Sequence, residues 1–288
     1  MKANNSGKVF KKLRKQRGFK LTSFQDNNIS PATISNFENG KTKIAFDKLQ
    51  IMLRTLSVSL EEFLIYTDEV DIDENSVLNQ LIREITKAIL TDNHTELSLY
   101  QSKAIQLHEY HLYLAIKGTQ QSLELDEIGI LSDYFDNIKY WRKIDLYTLC
   151  LSVKYLKARQ NTYLLEGFFM EEKQYYSSEI TFFHVACCII SSLISSNNQK
   201  TAKHFINYLS RENYPYHTMY TINLLNFVNG YWKAKFESYS EGLDDLKQAL
   251  YLFEQLEKPM IFNYYENLFK KHLKDISNYK TIYSKDML

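Results

Sequence analysis

The chain has 288 residues, of which 44% are hydrophobic and 14% aromatic, with only eight glycines and three prolines. This composition predicts a mostly helical protein, and the length suffices for two domains. The three cysteines (Cys150 and the adjacent Cys187 and Cys188) lack CxxC or metal spacing, which argues against a disulfide framework and for a reducing compartment. The first thirty residues show no signal peptide, and the most apolar run, 182–194, is too short to span a bilayer. We therefore expect a cytoplasmic protein without a membrane segment.

Charge is distributed unevenly although the net charge is only +1. Residues 1–66 contain twelve Lys and Arg against five acidic residues, a net charge of +7, and the remainder contains 23 basic and 29 acidic residues, a net charge of −6. A basic segment joined to an acidic body suggests that the first segment alone meets a polyanion. Basic patches are often only solvated faces, so charge by itself leaves nucleic-acid binding open.

The first 66 residues are predicted to form five short helices. The stretch "SGKVFKKLRKQRG" is amphipathic, with Val9, Phe10 and Leu13 on its inner side, and it ends at Gly18. The other helices are "LTSFQDN", "SPATISNFE", "AFDKLQIMLRTLSV" and "SLEEFLIY", the last opening with a capping box. Two short helices joined by a tight turn within such a bundle constitute a helix-turn-helix.

The third helix has the clearest signals. Ser30 is its N-cap, Pro31 occupies its first position and Gly40 ends it. Ala32 and Asn36 share a small, uncharged face that suits a helix entering a DNA groove. The side chains expected in the core of this segment are Ile34, Phe37, Phe46, Leu49, Leu53 and Phe63.

These residues carry a resemblance to a known class of domain. Ser30, Ile34, Ser35, Glu38 and Gly40 match the S-x-x-x-I-S-x-x-E-x-G signature of the phage-repressor (XRE-type) helix-turn-helix domain. The resemblance covers about the first quarter of the chain. It implies that the third helix is the recognition helix and that the segment binds double-stranded DNA.

The resemblance also implies individual roles. Pro31, Ala32 and Asn36 would face base edges, and the amide of Asn36 suits a bidentate contact to adenine. The side chains assigned to phosphates are those of Arg17, Ser30, Thr33, Ser35, Lys41 and Lys43. Arg14 and Glu38 occupy positions that pair the first helix with the recognition helix in similar repressors, and the guanidinium of Arg14 could also reach a phosphate. Solvated side chains and an ordinary surface ion pair are the alternatives.

Residues 67–76, "TDEVDIDENS", form an acidic stretch that we interpret as a hinge, and residues 77–288 have a nearly continuous helical pattern. The predicted breaks lie near residues 92–94, 118–119, 160–161, 197–199, 213–215, 239–241 and 258–259. Helices of 15–22 residues with short connections favour stacked hairpins, and "ALYLF" resembles the second helix of a tetratricopeptide hairpin. The predicted fold is therefore all-α: a five-helix repressor-like domain (1–66), a hinge (67–76) and a TPR-like helical-repeat solenoid (77–288), with a featureless bundle as the alternative.

The order of the two parts is similar to that of the Rgg family of peptide-sensing regulators, which belong to the Gram-positive quorum-sensing (RRNPP) receptors. The similarity rests on "ISPATISNFENG", the "LRTLSVSLEEF" ending and the Trp141 segment "YWRKIDLYTL". It implies a homodimer whose repeat domain binds a short, hydrophobic signalling peptide and thereby changes transcription at a promoter held by two DNA-binding domains.

Candidate peptide contacts come from two segments. Residues 137–165 are basic within an acidic domain and could receive a peptide carboxylate, and residues 216–231 place aromatic side chains and one asparagine at helical spacing. The residues assigned to the peptide are Arg142, Tyr147, Lys154, Tyr220, Asn223 and Phe227. A solvated face and a packed core are the alternatives for the two segments.

The sequence contains no signal for an enzyme or a cofactor. "HEYH" places His108 and His111 at i, i+3, whereas the HExxH metal motif needs i, i+4 and a third ligand. Three classes of function remain: a peptide-responsive transcription regulator, a DNA-binding regulator whose helical domain only dimerises or binds another ligand, and a protein-interaction scaffold that does not use DNA.

Overall fold

The structure of the protein is a computed structural model that describes residues 6–67, 72–170, 179–211, 218–256 and 258–283. Within these ranges every regular element is a helix, which confirms the all-α fold class. The chain divides into two compact units, Met1–Asn79 and Gln80–Leu288. Part of the predicted hinge, residues 68–71, lies outside the described residues, and the described part from residue 72 onwards begins a helix.

The N-terminal unit contains helices α1 (Ser6–Gln16), α2 (Pro31–Glu38), α3 (Phe46–Thr55) and α4 (Leu60–Ile65) and a 3-10 helix, Leu21–Asn27, between α1 and α2. The 3-10 helix ends at Asn28, which has a left-handed φ of 57° and makes the turn into α2. A capping box opens α4, where the Ser59 hydroxyl accepts from the Glu62 amide at 3.0 Å. The five helices predicted for this segment are all present.

The core of the N-terminal unit is built around aromatic rings. Phe10 of α1 lies 5.9 Å from Phe24 and 6.0 Å from Phe37, measured between ring centroids. Four of the predicted core residues are at most 2% exposed, namely Ile34, Phe37, Leu53 and Phe63, and Leu49 is partly buried against them. The prediction for Phe46 is wrong, because this ring is 59% exposed: Phe46 is the first residue of α3, and the first turn of that helix extends beyond the core.

Helix α5 (Ile72–Leu90) begins in the N-terminal unit and continues into the C-terminal unit. The C-terminal unit otherwise consists of helices joined mostly by short connections. They are α6 (His94–Gln106), α7 (Tyr110–Gln120), α8 (Leu125–Asn137), α9 (Lys143–Ser152), α10 (Ala158–Met170), α11 (Glu179–Ser195), α12 (Gln199–Leu209), α13 (Met219–Phe236), α14 (Tyr239–Gln255) and α15 (Pro259–Tyr283), with a 3-10 turn, Val153–Tyr155, after α9.

The helices of this unit form two rows. Helices α7, α9, α11, α13 and α15 pack each against the next, and the even-numbered helices α6, α8, α10, α12 and α14 cover them from the side. This is the arrangement of stacked helical hairpins. One continuous core, including Leu146, Ile190, Phe227 and Phe253, runs through both rows.

One predicted helix break is wrong, because residues 160–161 lie inside α10. The break predicted near 118–119 lies within two residues of the end of α7 at Gln120, and the one predicted near 213–215 lies outside the described residues. Gly118 serves close packing: a Cβ atom there would lie 2.7 Å from the ring of Tyr155, whose hydroxyl donates to the Gly118 carbonyl at 2.8 Å. Asn161 is fully buried and its amide donates to the Val153 carbonyl at 3.3 Å, so a residue typical of loops is used here to tie α10 to the preceding turn.

Helices α13 and α14 approach each other unusually closely at one point. A Cβ atom on Gly242 would collide with the backbone nitrogen of Ala234. Only glycine allows the two backbones to come this near. The contact sets the spacing of the hairpin whose first helix, α13, faces the cavity described below.

Candidate DNA-binding and ligand-binding sites

The ends of helix α2 are well defined. The Ser30 hydroxyl accepts from the Thr33 amide at 3.2 Å and lies 2.9 Å from the Thr33 hydroxyl. At the other end Gly40 has φ 70°, and the amides of Gly40 and Lys41 donate to the carbonyls of Phe37 and Asn36 at 2.9 and 2.8 Å. This is a Schellman C-cap, which fixes the backbone at the start of the loop bearing the two lysines.

Helix α2 has one buried face and one accessible face. Ile34, Phe37 and Glu38 are buried, whereas Ala32 is exposed and Asn36 is partly exposed. No hydrogen bond joins the Asn36 side chain to any described residue. The other residues assigned to DNA are either exposed or partly exposed: Arg17, Ser30, Pro31, Thr33, Ser35, Lys41 and Lys43.

Arg14 is the exception among the residues assigned to DNA. Its side chain is 9% exposed, and its Nε and Nη2 atoms donate to the two carboxylate oxygens of Glu38 at 2.5 and 2.9 Å. The Nη1 atom donates to the Phe19 carbonyl at 2.7 Å. The hydrogen bonds to Glu38 raise the pKa of Arg14. This bidentate pair joins α1 to the end of α2, and its burial leaves the guanidinium little surface for a phosphate.

A cavity of about 440 Å³ opens in the C-terminal unit between helices α9, α11, α13 and α15. Its apolar wall includes Leu224, Phe227 and Val228. Serines also line it from the last turns of α11 and just after its end, namely Ser191, Ser192, Ser195 and Ser196. Volume and lining are those of a site for a small or extended apolar ligand.

Two cations lie at this cavity. Lys154 donates to the Gly118 carbonyl at 2.7 Å, and Lys271 approaches from α15. Burial lowers the pKa of both ammonium groups, and the charge of Lys154 lowers that of Lys271 further. An anionic group placed between them would relieve this repulsion.

The structure brings only some of the residues assigned to a peptide to this cavity. Lys154 and Phe227 line it. Tyr220 lies behind the wall, where its hydroxyl is 3.1 Å from His184 Nδ1 and 2.9 Å from the Tyr265 hydroxyl. The Tyr147 hydroxyl lies 2.9 Å from that of Thr86.

Two of the assigned residues are used elsewhere. Asn223 is 7% exposed and its amide donates to the Ala249 carbonyl at 3.0 Å, so it joins α13 to α14 instead of facing the cavity. Arg142 is bound by Glu109 at 2.7 Å and by Asp145 at 2.7 Å, and it does not line the cavity. In this conformation neither side chain is available to a ligand there.

Sequence reasoning missed a polar cluster at one end of the cavity. The Lys235 ammonium, whose side chain is 1% exposed, donates to Asp275 at 2.7 Å and to the carbonyls of Ile194 and Ser195 at the end of α11. Tyr231 also donates to Asp275, at 2.5 Å. The partners are about 40 residues apart in sequence, so no local sequence pattern predicts this cluster.

A helix-turn-helix unit followed by a domain of paired helices around a ligand-sized cavity is the architecture of a ligand-responsive DNA-binding regulator. A helix-turn-helix family model matches residues 10–63, and the model for the C-terminal domain of the HTH-type transcriptional regulator Rgg matches residues 76–267. The chain belongs to the Rgg family of transcriptional regulators.

Solved structures share the fold over nearly their whole length. The SHP pheromone receptor Rgg2 of Streptococcus dysgalactiae is 20% identical, with a TM-score of 0.67 over 92% of this chain and 99% of that chain. A transcriptional regulator of Listeria monocytogenes EGD-e described as putative is 14% identical, with a TM-score of 0.66 over 94% and 98%. PrgX in complex with cCF10 is 15% identical, with a TM-score of 0.61 over 96% and 93%.

Among the described residues, no helix combines the length and the apolar character needed to cross a membrane.

Proposed function

We propose that this regulator binds promoter DNA as a homodimer and that occupation of the cavity between α9, α11, α13 and α15 by a short hydrophobic peptide changes promoter activity. The observation that supports peptide binding is the apolar cavity with two cations at its edge. The descriptions of Rgg2 as a pheromone receptor and of PrgX as a complex with cCF10 support the same reading. Because its partner is DNA, we expect the protein in the cytoplasm, and the role requires no catalysis.

For DNA, we propose that α2 enters the major groove with Pro31, Ala32 and Asn36 toward base edges. The exposed hydroxyls and lysines around α2 would bind phosphates. Given its burial, Arg14 would act chiefly by holding α2 against α1, so we assign it to positioning. Two units on half-sites about one helical turn apart would give the specificity that a single helix lacks.

For the peptide, we propose that Lys154 and Lys271 receive its terminal carboxylate and that the wall around Phe227 takes its apolar side chains. The repulsion between the two ammonium groups favours an anion. Apart from these two lysines, the described residues that line the cavity include one further Lys, Arg, Asp or Glu, namely Asp275. Of the residues assigned to the peptide from sequence, Lys154 and Phe227 are kept as direct contacts. Tyr147 and Tyr220 are proposed to support the wall from behind.

The test uses full-length protein and fluorescence anisotropy with duplexes from upstream of its own gene. Short apolar peptides encoded by small reading frames beside the gene are titrated with and without DNA. We expect one of these peptides to bind and to change the affinity for DNA. The double variant Lys154→Glu, Lys271→Glu should lose peptide binding and keep DNA binding. Lys157→Glu, which reverses an exposed lysine outside the cavity, is the matched control.

Sequence-specific DNA binding without any peptide response would favour the second class of function, a regulator whose helical domain only dimerises or binds another ligand. Absence of specific DNA binding under all these conditions would favour a protein-interaction scaffold.

A further inference from the structure

Three side chains with metal-binding atoms meet in the wall of the cavity. The Cys150 and Cys188 sulfur atoms are 3.0 Å apart, and a ring nitrogen of His184 lies within 4.8 Å of both. All three residues line the cavity and are partly accessible. Two thiols and an imidazole therefore meet at one point of the cavity wall.

The helices explain how the cluster arises. His184 and Cys188 are four residues apart on α11 and therefore share one face of that helix. Cys150 comes from α9, which packs directly on α11. Cys187 is only one residue away but is 1% exposed and belongs to the core. Because the ligands come from two helices, no CxxC spacing appears in the sequence.

A further residue orients the imidazole. The Tyr220 hydroxyl lies 3.1 Å from His184 Nδ1 and 2.9 Å from the Tyr265 hydroxyl. It can accept from Nδ1–H while donating to Tyr265, and the lone pair of the imidazole is then on Nε2. A histidine whose second nitrogen is held by an outer hydrogen bond is the usual arrangement at metal centres.

We propose that Cys150, His184 and Cys188 bind Zn²⁺, with the fourth coordination position open to the cavity. Two sulfurs and one imidazole nitrogen without a carboxylate are the donors of zinc sites. Two thiolates neutralise the divalent ion, and a neutral complex is the one that an apolar wall tolerates best. With Zn–S distances of about 2.3 Å, tetrahedral geometry needs sulfurs about 3.8 Å apart, so small side-chain rotations open the pair to fit the ion.

Metal binding should respond to pH. Both thiols must lose a proton to bind zinc, so the apparent affinity for Zn²⁺ should rise as the pH is raised.

The experiment starts from the full chain, reduced and stripped of metal. Zn²⁺ is titrated against a competing chromophoric chelator, and Co²⁺ is used as a spectroscopic probe. We expect one equivalent to bind, with thiolate-to-cobalt charge-transfer absorption and tetrahedral ligand-field bands. Cys150→Ser and Cys188→Ser should each weaken binding by more than about a hundredfold, and Tyr220→Phe by roughly 10- to 100-fold through loss of the outer hydrogen bond.

Cys187→Ala is the matched control, since it removes the neighbouring thiol and should leave Zn²⁺ affinity unchanged. Circular dichroism of each variant establishes that it is folded. The proposal is overturned if reduced wild-type protein binds Zn²⁺ no more tightly than the Cys150 and Cys188 variants, or if cobalt gives only octahedral bands. Loss of zinc binding in Cys187→Ala alone would equally overturn the assignment. Purified protein found with a Cys150–Cys188 disulfide and unable to bind zinc after reduction would overturn the zinc site in favour of a redox pair.

Discussion

At the scale of single residues, α2 and the loop after it present side chains that would recognise different parts of DNA. Asn36 carries a planar amide with a donor and an acceptor, and Lys43 carries a point charge beyond the C-cap. An amide can distinguish adenine from other bases in the major groove, whereas an ammonium recognises only phosphate charge.

We predict that Asn36→Ala costs about 1–3 kcal/mol per half-site on the true operator and almost nothing on scrambled DNA. Lys43→Ala should weaken both duplexes by a similar factor and reduce the salt slope by about one unit for each phosphate interaction removed. Titration of both variants with both duplexes at two salt concentrations measures this. If Asn36→Ala weakens the two duplexes equally, Asn36 does not read bases and specificity comes from DNA shape or another docking of α2.

His272 carries a prediction about pH. Burial, with the charges of Lys271 and Lys235, lowers its pKa to about 3, and its Nε2 bonds to no described residue. The unfolded chain takes up a proton below about pH 6.5 and the folded protein does not. Each such histidine therefore lowers the free energy of unfolding by up to about 1.4 kcal/mol per pH unit as the pH falls from about 6 toward 3.

We expect His272→Phe to reduce this pH dependence by that amount while keeping the stacking on Tyr231, whose ring centroid is 3.7 Å away. Urea unfolding at pH 7, 6 and 5 provides the measurement. His204→Gln, at an exposed histidine, is measured beside it as the comparison variant. A His272→Phe slope equal to that of the wild type would mean that His272 takes up its proton in the folded protein.

Residue-level expectations from sequence succeeded where local rules apply. The Ser30 cap and the inward face of Ile34 and Phe37 follow from position within a helix. Asn223 could not be placed in this way, because its partner, the Ala249 carbonyl, lies on the next helix. A polar side chain on an apolar stripe fits a ligand contact and an interhelical hydrogen bond equally well.

At the scale of elements, the α13–α14 hairpin depends on Gly242. An added methyl group would meet the backbone of Ala234, which has no flexible end that could move aside. We predict that Gly242→Ala lowers the free energy of unfolding by about 1–3 kcal/mol, because the two helices must move apart.

Gly129 in α8 provides the control for this substitution. A Cβ atom there meets nothing within 4 Å, so Gly129→Ala should stabilise the protein by roughly 0.5–1 kcal/mol through helix propensity. Thermal or urea unfolding of both variants checks the pair. If both variants gain stability, the hairpin tolerates a wider spacing than the structure indicates.

Element boundaries followed from sequence only in part. Breaks near residues 92 and 197 coincide with connections of left-handed backbone at Asp92 and Asn197. The break expected near residues 160–161 is wrong because Asn161, a residue type common in loops, lies inside α10 and donates to the Val153 carbonyl. Recognising that role requires knowing the neighbouring turn.

At the scale of the whole molecule, opposite charges are separated along the chain. The basic residues of the first 66 positions would meet phosphates, and the acidic remainder would be repelled by them. We predict that operator affinity falls steeply with salt, with a slope of log K against log salt near −5 for about six phosphate contacts. Anisotropy between 50 and 300 mM salt (about a sixfold range) measures the slope. A slope near zero would exclude docking of α2 in a groove.

The overall architecture could be predicted because its signals are local and repeated: caps, helical periodicity and the order of two unlike segments. The cavity could not, since it is formed by side chains from α9, α11, α13 and α15 that no single stretch of sequence places together.

The buried pair of Arg14 and Glu38, with the Schellman cap after α2, has a calorimetric consequence. Arg14 of α1 holds Glu38 of α2 and also donates to the Phe19 carbonyl, so α2 is already fixed within the folded unit and contact with DNA need not order it. Association that includes folding produces a large negative change in heat capacity, whereas rigid docking produces a small one. Titration calorimetry at several temperatures should therefore show an enthalpy of operator binding that changes little with temperature, and Glu38→Gln, which weakens the fastening, should make that temperature dependence steeper.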